Sequence, residues 1–312
     1  MTTQVNVDNF ARAETDRMFH ELQQNAGGVG RFLHNREPAA IDKQTVIRLN
    51  RDTLYSFAIV DATAGATLTL PDHGDRYLSA MIVNQDHYVD AILHEPGEYE
   101  ISSDRFGTPY VAVAIRVLVD PADPADIAAV AAIQGQISLT NGSAAAFEYP
   151  DYDTESFDET RDALLSLARN LTGFDRMFGA KDDVDPVRHL IGTAAGWGGL
   201  PSSEAFYVGV DPRLPVGNYE LTVADVPVDG FWSISVYNAK GFFEPNERGA
   251  YTVNNITGVR NPDGSVTVRF GDYPPEIPNA IPITEGWNYL VRLYRPRPEV
   301  LDGTWSFPGL TG

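Results

Sequence analysis

Short apolar runs, broken at close intervals by turn-forming residues, dominate the chain from residue 53 to residue 119. Residues 53–60, 66–70, 77–83, 99–101 and 110–119 read as strands, punctuated by Asp72-His73-Gly74-Asp75, Glu95-Pro96-Gly97 and Phe106-Gly107-Thr108-Pro109. Strands at this spacing predict a sandwich or barrel. Ahead of them the period is helical: Phe10, Met18, Phe19 and Leu22 follow Asp8, the predicted N-cap, and Gly27-Gly28 ends the run. After them, Asp123 is placed to cap a helix opening at Pro124, with Ile127, Val130, Ala131, Gln134 and Ile137 at helical spacing. Residues 141–153 are rich in Gly, Ser and Ala and then acidic and aromatic, and read as a linker. Ser156-Phe157-Asp158-Glu159 fits a capping box. Phe157, Leu164, Leu165, Ala168 and Leu171 stripe the helix after it, and a shorter helix follows Asp185-Pro186. The pattern returns to β at 219–223, 231–237, 250–254, 265–270 and 289–294. Within 231–237, Trp232, Ile234 and Val236 oppose Phe231, Ser233, Ser235 and Tyr237, which predicts one core face and one partly polar face.

The expected fold class is therefore mainly β. An N-terminal helical arm (1–45) precedes a β-rich domain (46–140), a linker with bridging helices (141–200) and a second β-rich domain (201–312). Length agrees with this division, since 312 residues exceed the size at which one hydrophobic core stops growing. No fixed-period repeat of solenoid or propeller type is present. With 43% hydrophobic and 21% charged residues the chain is globular, and a formal charge of -20 repels nucleic acid and anionic membrane surfaces, so neither is an expected partner. There is no cysteine, which excludes a disulfide framework, a thiolate nucleophile and a Cys-ligated metal. No stretch approaches the roughly 20 apolar residues of a membrane span, and residues 1–10 lack the features of a signal peptide. The expected compartment is the cytoplasm.

Three polar or aromatic clusters are candidates for chemistry. Arg48-Leu49-Asn50-Arg51-Asp52-Thr53-Leu54-Tyr55-Ser56 puts charged and amide side chains at the mouth of an apolar strand. Burying a charge without a partner costs several kcal/mol, roughly, so these groups must be paired or in use. Strand alternation places Arg51, Thr53 and Tyr55 on one face and Asn50, Asp52 and Leu54 on the other. One reading is a structural network with Arg51 buried and salt-linked; the other gives Arg51 an anion to hold. In the second cluster, Asn84-Gln85-Asp86-His87-Tyr88, His87 is a general-base candidate of ordinary pKa, about 6.5, set against a satisfied structural histidine. His87, Asp90 and His94 match no standard metal spacing, and no metal site is expected. The third cluster is aromatic: Trp197, Trp232, Tyr237, Phe242, Phe243, Tyr251 and Trp287, with Glu244 and Arg292. Such residues are ordinarily core, and those on an outer face line a ligand cleft. The candidates are thus His87, Arg51 and Tyr55 for catalysis, and Trp197, Tyr237, Glu244 and Arg292 for ligand binding. Gly196-Trp197-Gly198-Gly199 lacks the ending of a phosphate loop and there is no Gly-x-Ser-x-Gly elbow, so no motif names a cofactor.

The stretch from Arg48 to Ser56 resembles the opening of domain of unknown function 1254. Asp229-Gly230-Phe231-Trp232-Ser233-Ile234-Ser235-Val236-Tyr237-Asn238 and Trp287-Asn288-Tyr289-Leu290-Val291-Arg292-Leu293-Tyr294-Arg295-Pro296 resemble domain of unknown function 1214, whose usual ending matches Leu301-Asp302-Gly303-Thr304-Trp305. The resemblance implies two β-rich domains joined through helices, the C-terminal one a jelly-roll-like sandwich. It implies no reaction, and many members begin with an export signal. Two function classes are expected: an enzyme or binder of a small organic or carbohydrate ligand in an interdomain cleft, and a non-catalytic protein assembling into a symmetric homo-oligomer.

Overall fold

The computed structural model describes residues 2–44, 47–169, 171 and 173–311. Strand outweighs helix, and the chain divides into two compact units, each drawn from three separate segments. The first comprises Met1–Arg36, Leu54–Leu118 and Ala128–Ser202; the second comprises Glu37–Thr53, Val119–Ile127 and Ser203–Gly312. The stretch from Arg48 to Ser56 therefore contributes to both units.

The first unit opens with α1 (Phe10–Ala26), N-capped by Asn9 one residue beyond the predicted Asp8 and closed by Gly27 in the left-handed conformation. Next come β1 (Leu33–His34), β2 (Thr53–Asp61), β3 (Ala66–Leu70), β4 (Leu78–Asn84), β5 (Val89–Leu93), β6 (Gly97–Ile101), the single turn α2 (Ser103–Phe106) and β7 (Tyr110–Leu118). α3 (Pro124–Gln134), β8 (Ser138–Asn141), α4 (Thr154–Ala168) and α5 (Pro186–Gly196) complete it, with the start of α3 belonging to the second unit. Strands run β1-β2-β7-β4-β5 in a five-stranded sheet and β6-β3-β8 in a three-stranded one. Every residue of β4 is buried, so the sheet is covered on both faces there. β5 and β8 were not legible as strands: β5 is only half-buried, and β8 reads Ser-Leu-Thr-Asn at the start of the predicted linker. The N-cap of α4 is Asp153, whose side chain accepts from Ser156 N at 2.9 Å; Ser156 is the third helical residue, not the cap expected of it. Val5, Phe10, Ala13, Phe157, Leu164, Ile191 and Ala194 form the apolar cluster that packs α1, α4 and α5.

The second unit consists of β9 (Ala205–Val210), β10 (Tyr219–Val223), β11 (Trp232–Tyr237), β12 (Thr252–Asn254), β13 (Val266–Phe270), β14 (Ala280–Ile281), β15 (Asn288–Tyr294) and the short α6 (Pro298–Leu301). Two sheets, β12-β11-β15-β9 and β10-β13-β14, share one core. Trp232, Ile234, Val236, Tyr289, Val291 and Leu293 enter it from the first sheet, and Leu221, Val223, Val266, Val268 and Phe270 from the second. This is a β-sandwich, and its core is the face of residues 231–237 that alternation assigned to it. The opposite face is the surprise. Ser233 and Ser235 are fully buried and Tyr237 nearly so. What covers them is the segment Glu37–Thr53, a strap whose Ile41 and Leu49 pack with Tyr237, Phe243, Leu290, Tyr207 and Tyr251.

Candidate functional site

Beneath the strap the sheet presents a row of polar side chains. Register pairs Ser233 of β11 with Asn254 of β12 on one side and with Arg292 of β15 on the other. Asp52, fully buried at the end of the strap, accepts from Thr252 Oγ1 at 2.9 Å and Asn254 Nδ2 at 3.1 Å through Oδ1. Its amide N–H donates to Asn50 Oδ1 at 2.9 Å, and Asn50 Nδ2 in turn donates to Tyr294 Oη at 3.1 Å. Strand alternation does not govern these residues, because β2 begins only at Thr53 and Asn50-Arg51-Asp52 forms a side-chain-closed turn before it.

Arg292 is held wholly by neutral oxygens. Nη1 donates to Ser235 Oγ at 2.8 Å, and Nη2 donates to Arg48 O at 2.7 Å and Tyr237 Oη at 2.8 Å. Burial works against its charge, and the electrostatic influence of Tyr237, Tyr294 and Asp52 more than compensates, so the guanidinium stays protonated. Tyr237 Oη donates to Leu49 O at 2.9 Å, and burial lifts its pKa above the ordinary phenol value. Arg292 therefore fixes Tyr237 and the strap and reaches no surface. The ligand-contact role expected of it is corrected to a positioning one.

Arg51 differs from the first of its two expectations. It is half-buried, and among the described residues no carboxylate lies within ion-pair distance of it, so the buried, salt-linked arginine is corrected: the buried charge in this turn is Asp52. The Arg51 guanidinium sits over the Tyr251 ring, 5.6 Å from its centroid, and Nη1 donates to the Ala39 carbonyl. Its Nε is buried without a hydrogen-bond partner. Burial lowers its pKa, a pull opposed by Tyr251 and Asp52.

A shallow, solvent-open depression lies on this same unit, with Tyr237, Tyr251, Asn238, Glu244, Asn246 and Thr284 in its lining. Glu244 is exposed and accepts from Asn238 Nδ2 at 2.7 Å through one carboxylate oxygen. The amides of Asn238 and Asn246 are committed to their own turn, bonding backbone groups of Lys240, Phe242 and Ala250. What remains to meet a ligand is the second Glu244 oxygen and Tyr251, since Tyr237 is buried with its hydroxyl committed to Leu49 O and Arg292.

The first unit holds His87, Tyr55 and Trp197. His87 lies in the turn joining β4 to β5, with φ of 66°, a left-handed conformation histidine tolerates better than most residues. Asn84 builds that turn, its Oδ1 accepting from Asp86 N and Tyr88 N at 3.0 Å each. The His87 ring is completely buried. Nε2 accepts from Gly198 N at 2.9 Å, so Nδ1 carries the proton and donates to Thr193 Oγ1 at 2.8 Å; Thr193 passes its own proton to His189 O at 2.9 Å. Gly198 can point its N–H this way because it adopts φ of 75°, and a side chain at Gly199 would collide with the Phe178 ring. His87 stacks between Trp197 at 5.5 Å and His189 at 5.4 Å, and His189 stacks in turn on Tyr88 at 4.7 Å. Burial, assisted by His189, lowers the His87 pKa to about 3. The solvent-facing general base near pH 6.5 is thereby corrected: the imidazole is neutral, saturated with hydrogen bonds and enclosed. Trp197 donates to Thr15 Oγ1 at 3.1 Å, and Tyr55 lies 5.5 Å below the Arg116 guanidinium. His87 and Trp197 thus meet each other, while Tyr237 and Glu244 meet at the depression with Tyr251, which was singled out only as an aromatic of the cluster. Asn254, Thr252 and Ser233 escaped notice because single polar residues in strands carry no pattern of their own. Among the described residues no three His, Asp or Glu side chains are grouped to hold a metal ion, and no helix is long and apolar enough to cross a membrane.

Comparison with known proteins agrees with the fold. The chain is similar over 98% of its length to the VPA0106 protein of Vibrio parahaemolyticus, covering 97% of that chain at 16% identity and a TM-score of 0.77. It is also similar over 97% of its length to an uncharacterized protein from Burkholderia cenocepacia, covering 85% of that chain at 16% identity and a TM-score of 0.53. At such identities the likeness is one of fold alone. No curated protein matches the sequence. Two family models described as proteins of unknown function match it, DUF1254 over residues 29–98 and DUF1214 over residues 214–298. The chain thus carries an N-terminal DUF1254 segment and a C-terminal DUF1214 segment, the two that its sequence resembles.

Proposed function

We propose that this protein binds a small, hydroxyl-rich organic molecule of the carbohydrate class in the depression on its jelly-roll-like sandwich, and that it is a binder and not an enzyme built on His87. The observation that carries this reading is the meeting of Tyr251 and Glu244 at one solvent-open surface, above the buried Tyr237. The half-buried Tyr251 ring packs against the C–H face of a sugar ring, and the unpaired Glu244 oxygen accepts from its hydroxyls. The layer underneath is rigid, since Arg292 holds the Tyr237 hydroxyl at 2.8 Å, and a preorganised lining lowers the cost of binding. The depression is shallow and encloses little space, so it engages one edge of a ligand and leaves the rest in solvent. Titration of neutral and acidic monosaccharides, followed by calorimetry and by the unfolding midpoint, tests it. Binding that disappears in Tyr251→Ala supports the reading, and a panel without a binder at millimolar concentration refutes it.

A homo-oligomer is a second reading, favoured by apolar residues of the first unit that face solvent, Leu167 at 63% exposure and Val187 at 65%. Sedimentation equilibrium decides it, a monomer at every concentration being the refuting result.

A further inference from the structure

We propose that the exposed end of the α4–α5 pair is the surface through which two copies of this chain associate about a two-fold axis. The inference rests on the homo-oligomer reading and gives it a place on the molecule. α4 and α5 pack together, Phe157 and Leu164 sharing a buried cluster with Ile191 and Ala194. The segment that connects them is fastened to both helices at one end of the pair. Leu171 N donates to Ala168 O at 3.0 Å at the close of α4, and Arg188, in the first turn of α5, donates through Nε to Asp175 O at 2.6 Å and through Nη2 to Gly173 O at 3.1 Å. Leu167, Leu171, Phe174 and Val187 are thereby gathered on the first unit, and all four are exposed.

Apolar side chains clustered on a surface mark a contact, and the charge around these identifies the partner. Residues 169–188 carry four basic and four acidic side chains, in a chain of formal charge -20. The field of the molecule as a whole repels a second copy, whereas here the charge is balanced. A surface that meets itself across a two-fold axis cannot be of one sign, because it would repel its own copy; a mixed one lets the bases of one copy face the acids of the other. The bases are available for this. Among the described residues Arg169, Arg176, Lys181 and Arg188 make no ion pair, and the hydrogen bonds of Arg176 and Arg188 go to backbone carbonyls. A stable interface buries roughly 800 Å² per partner, so the four apolar side chains form its centre and the charged residues its rim. A lipid surface fits less well, since anionic headgroups repel the acids of that rim.

Sedimentation equilibrium of the full chain over a wide range of concentration tests it. The parent is expected to dimerise, and Leu167→Lys and Val187→Asp are each expected to weaken the dimer by about tenfold or more. Both variants are expected to fold as the parent does, read by circular dichroism, because the positions are exposed and each new charge suits its helix end: a cation in the last turn of α4, an anion in the first turn of α5. The rim is tested by charge reversal. Arg169→Glu with Lys181→Glu, and separately Asp182→Lys with Asp183→Lys, are expected to weaken self-association, and a mixture of the two double variants is expected to associate better than either alone. A mixture that does no better overturns the pairing of unlike charges across the axis. A dimer undiminished in Leu167→Lys and Val187→Asp overturns this surface and leaves the homo-oligomer reading standing. A parent that is monomeric at every concentration overturns both, and its flotation with phosphatidylcholine vesicles, abolished by Leu167→Lys, then assigns the patch to a lipid surface.

Discussion

At the scale of single residues, the same neighbourhood in sequence yields opposite fates. Arg51 and Asp52 are adjacent, yet Asp52 is fully buried with Thr252 and Asn254 on one oxygen, while Arg51 is half-exposed over a tyrosine. Replacing Asp52 by Ala strips the acceptor from two donors on a buried face and leaves Arg292 without its nearby countercharge. The expected loss is about 3 kcal/mol or more. Arg51→Ala removes one backbone hydrogen bond and one ring contact, and is expected to cost about 1 kcal/mol. Urea unfolding of both variants checks the order; an Arg51→Ala variant less stable than Asp52→Ala reverses it. His87 carries a pH prediction of definite sign. Its folded pKa of about 3 lies below that of an unfolded histidine, so the unfolded chain takes up a proton that the folded one refuses. Its contribution is complete above pH of about 6.5 and is lost as pH falls toward the folded value, by about 2 kcal/mol between pH 6.5 and 5. Stability of the parent measured at pH 7.5 and pH 5 is expected to fall more than that of His87→Gln, and equal slopes would contradict the enclosed, neutral imidazole.

Among the elements, two irregular segments are secured by the same device. Gln23 of α1 donates through Nε2 to Phe147 O at 2.7 Å and accepts from Phe147 N at 3.0 Å. Gln44 of the strap donates to Phe243 O at 2.9 Å and accepts from Phe243 N at 2.8 Å. In each case a side-chain amide pairs with the backbone of an aromatic residue as a strand would, and the ring is buried beside it. For this reason residues 141–153, which composition describes as a linker, are not a free connection. Limited proteolysis is expected to spare the backbone around Phe147 in the parent and to cut there in Gln23→Ala; early cleavage of the parent within 141–153 would show that the clasp does not hold.

For the molecule as a whole, the second unit is discontinuous in sequence. Residues 203–312 supply both sheets of the sandwich, but Ser233, Ser235, Tyr237, Asn254 and Arg292 find their cover and several of their partners in residues 37–53. A fragment spanning only 203–312 exposes a row of groups adapted to burial, Arg292 among them. It is expected to lack fixed near-ultraviolet dichroism and a cooperative melt, and to regain both when a peptide of residues 37–53 is added. A fragment that melts cooperatively by itself would show the strap to be dispensable.

Sequence alone determined what depends on local period and turn chemistry. The β-rich class, the helix over the first 26 residues, the core face of 231–237 and both family segments were all legible there, because alternation and turn residues act between neighbours in the chain. It also singled out Arg51, Tyr237, Glu244 and His87. Their circumstances were decided only by the tertiary structure. Ser233 and Ser235 look like solvent-facing positions until a strap some 190 residues away in sequence covers them, a separation over which no periodic signal extends. His87 looks like a base until Gly198 and Thr193 arrive from the end of α5 and occupy both ring nitrogens. Burial and the hydrogen-bond partner set the chemistry of a titratable group, and both are properties of segments that meet in space, so the residue type fixes what a side chain is able to do and the fold fixes whether it does it.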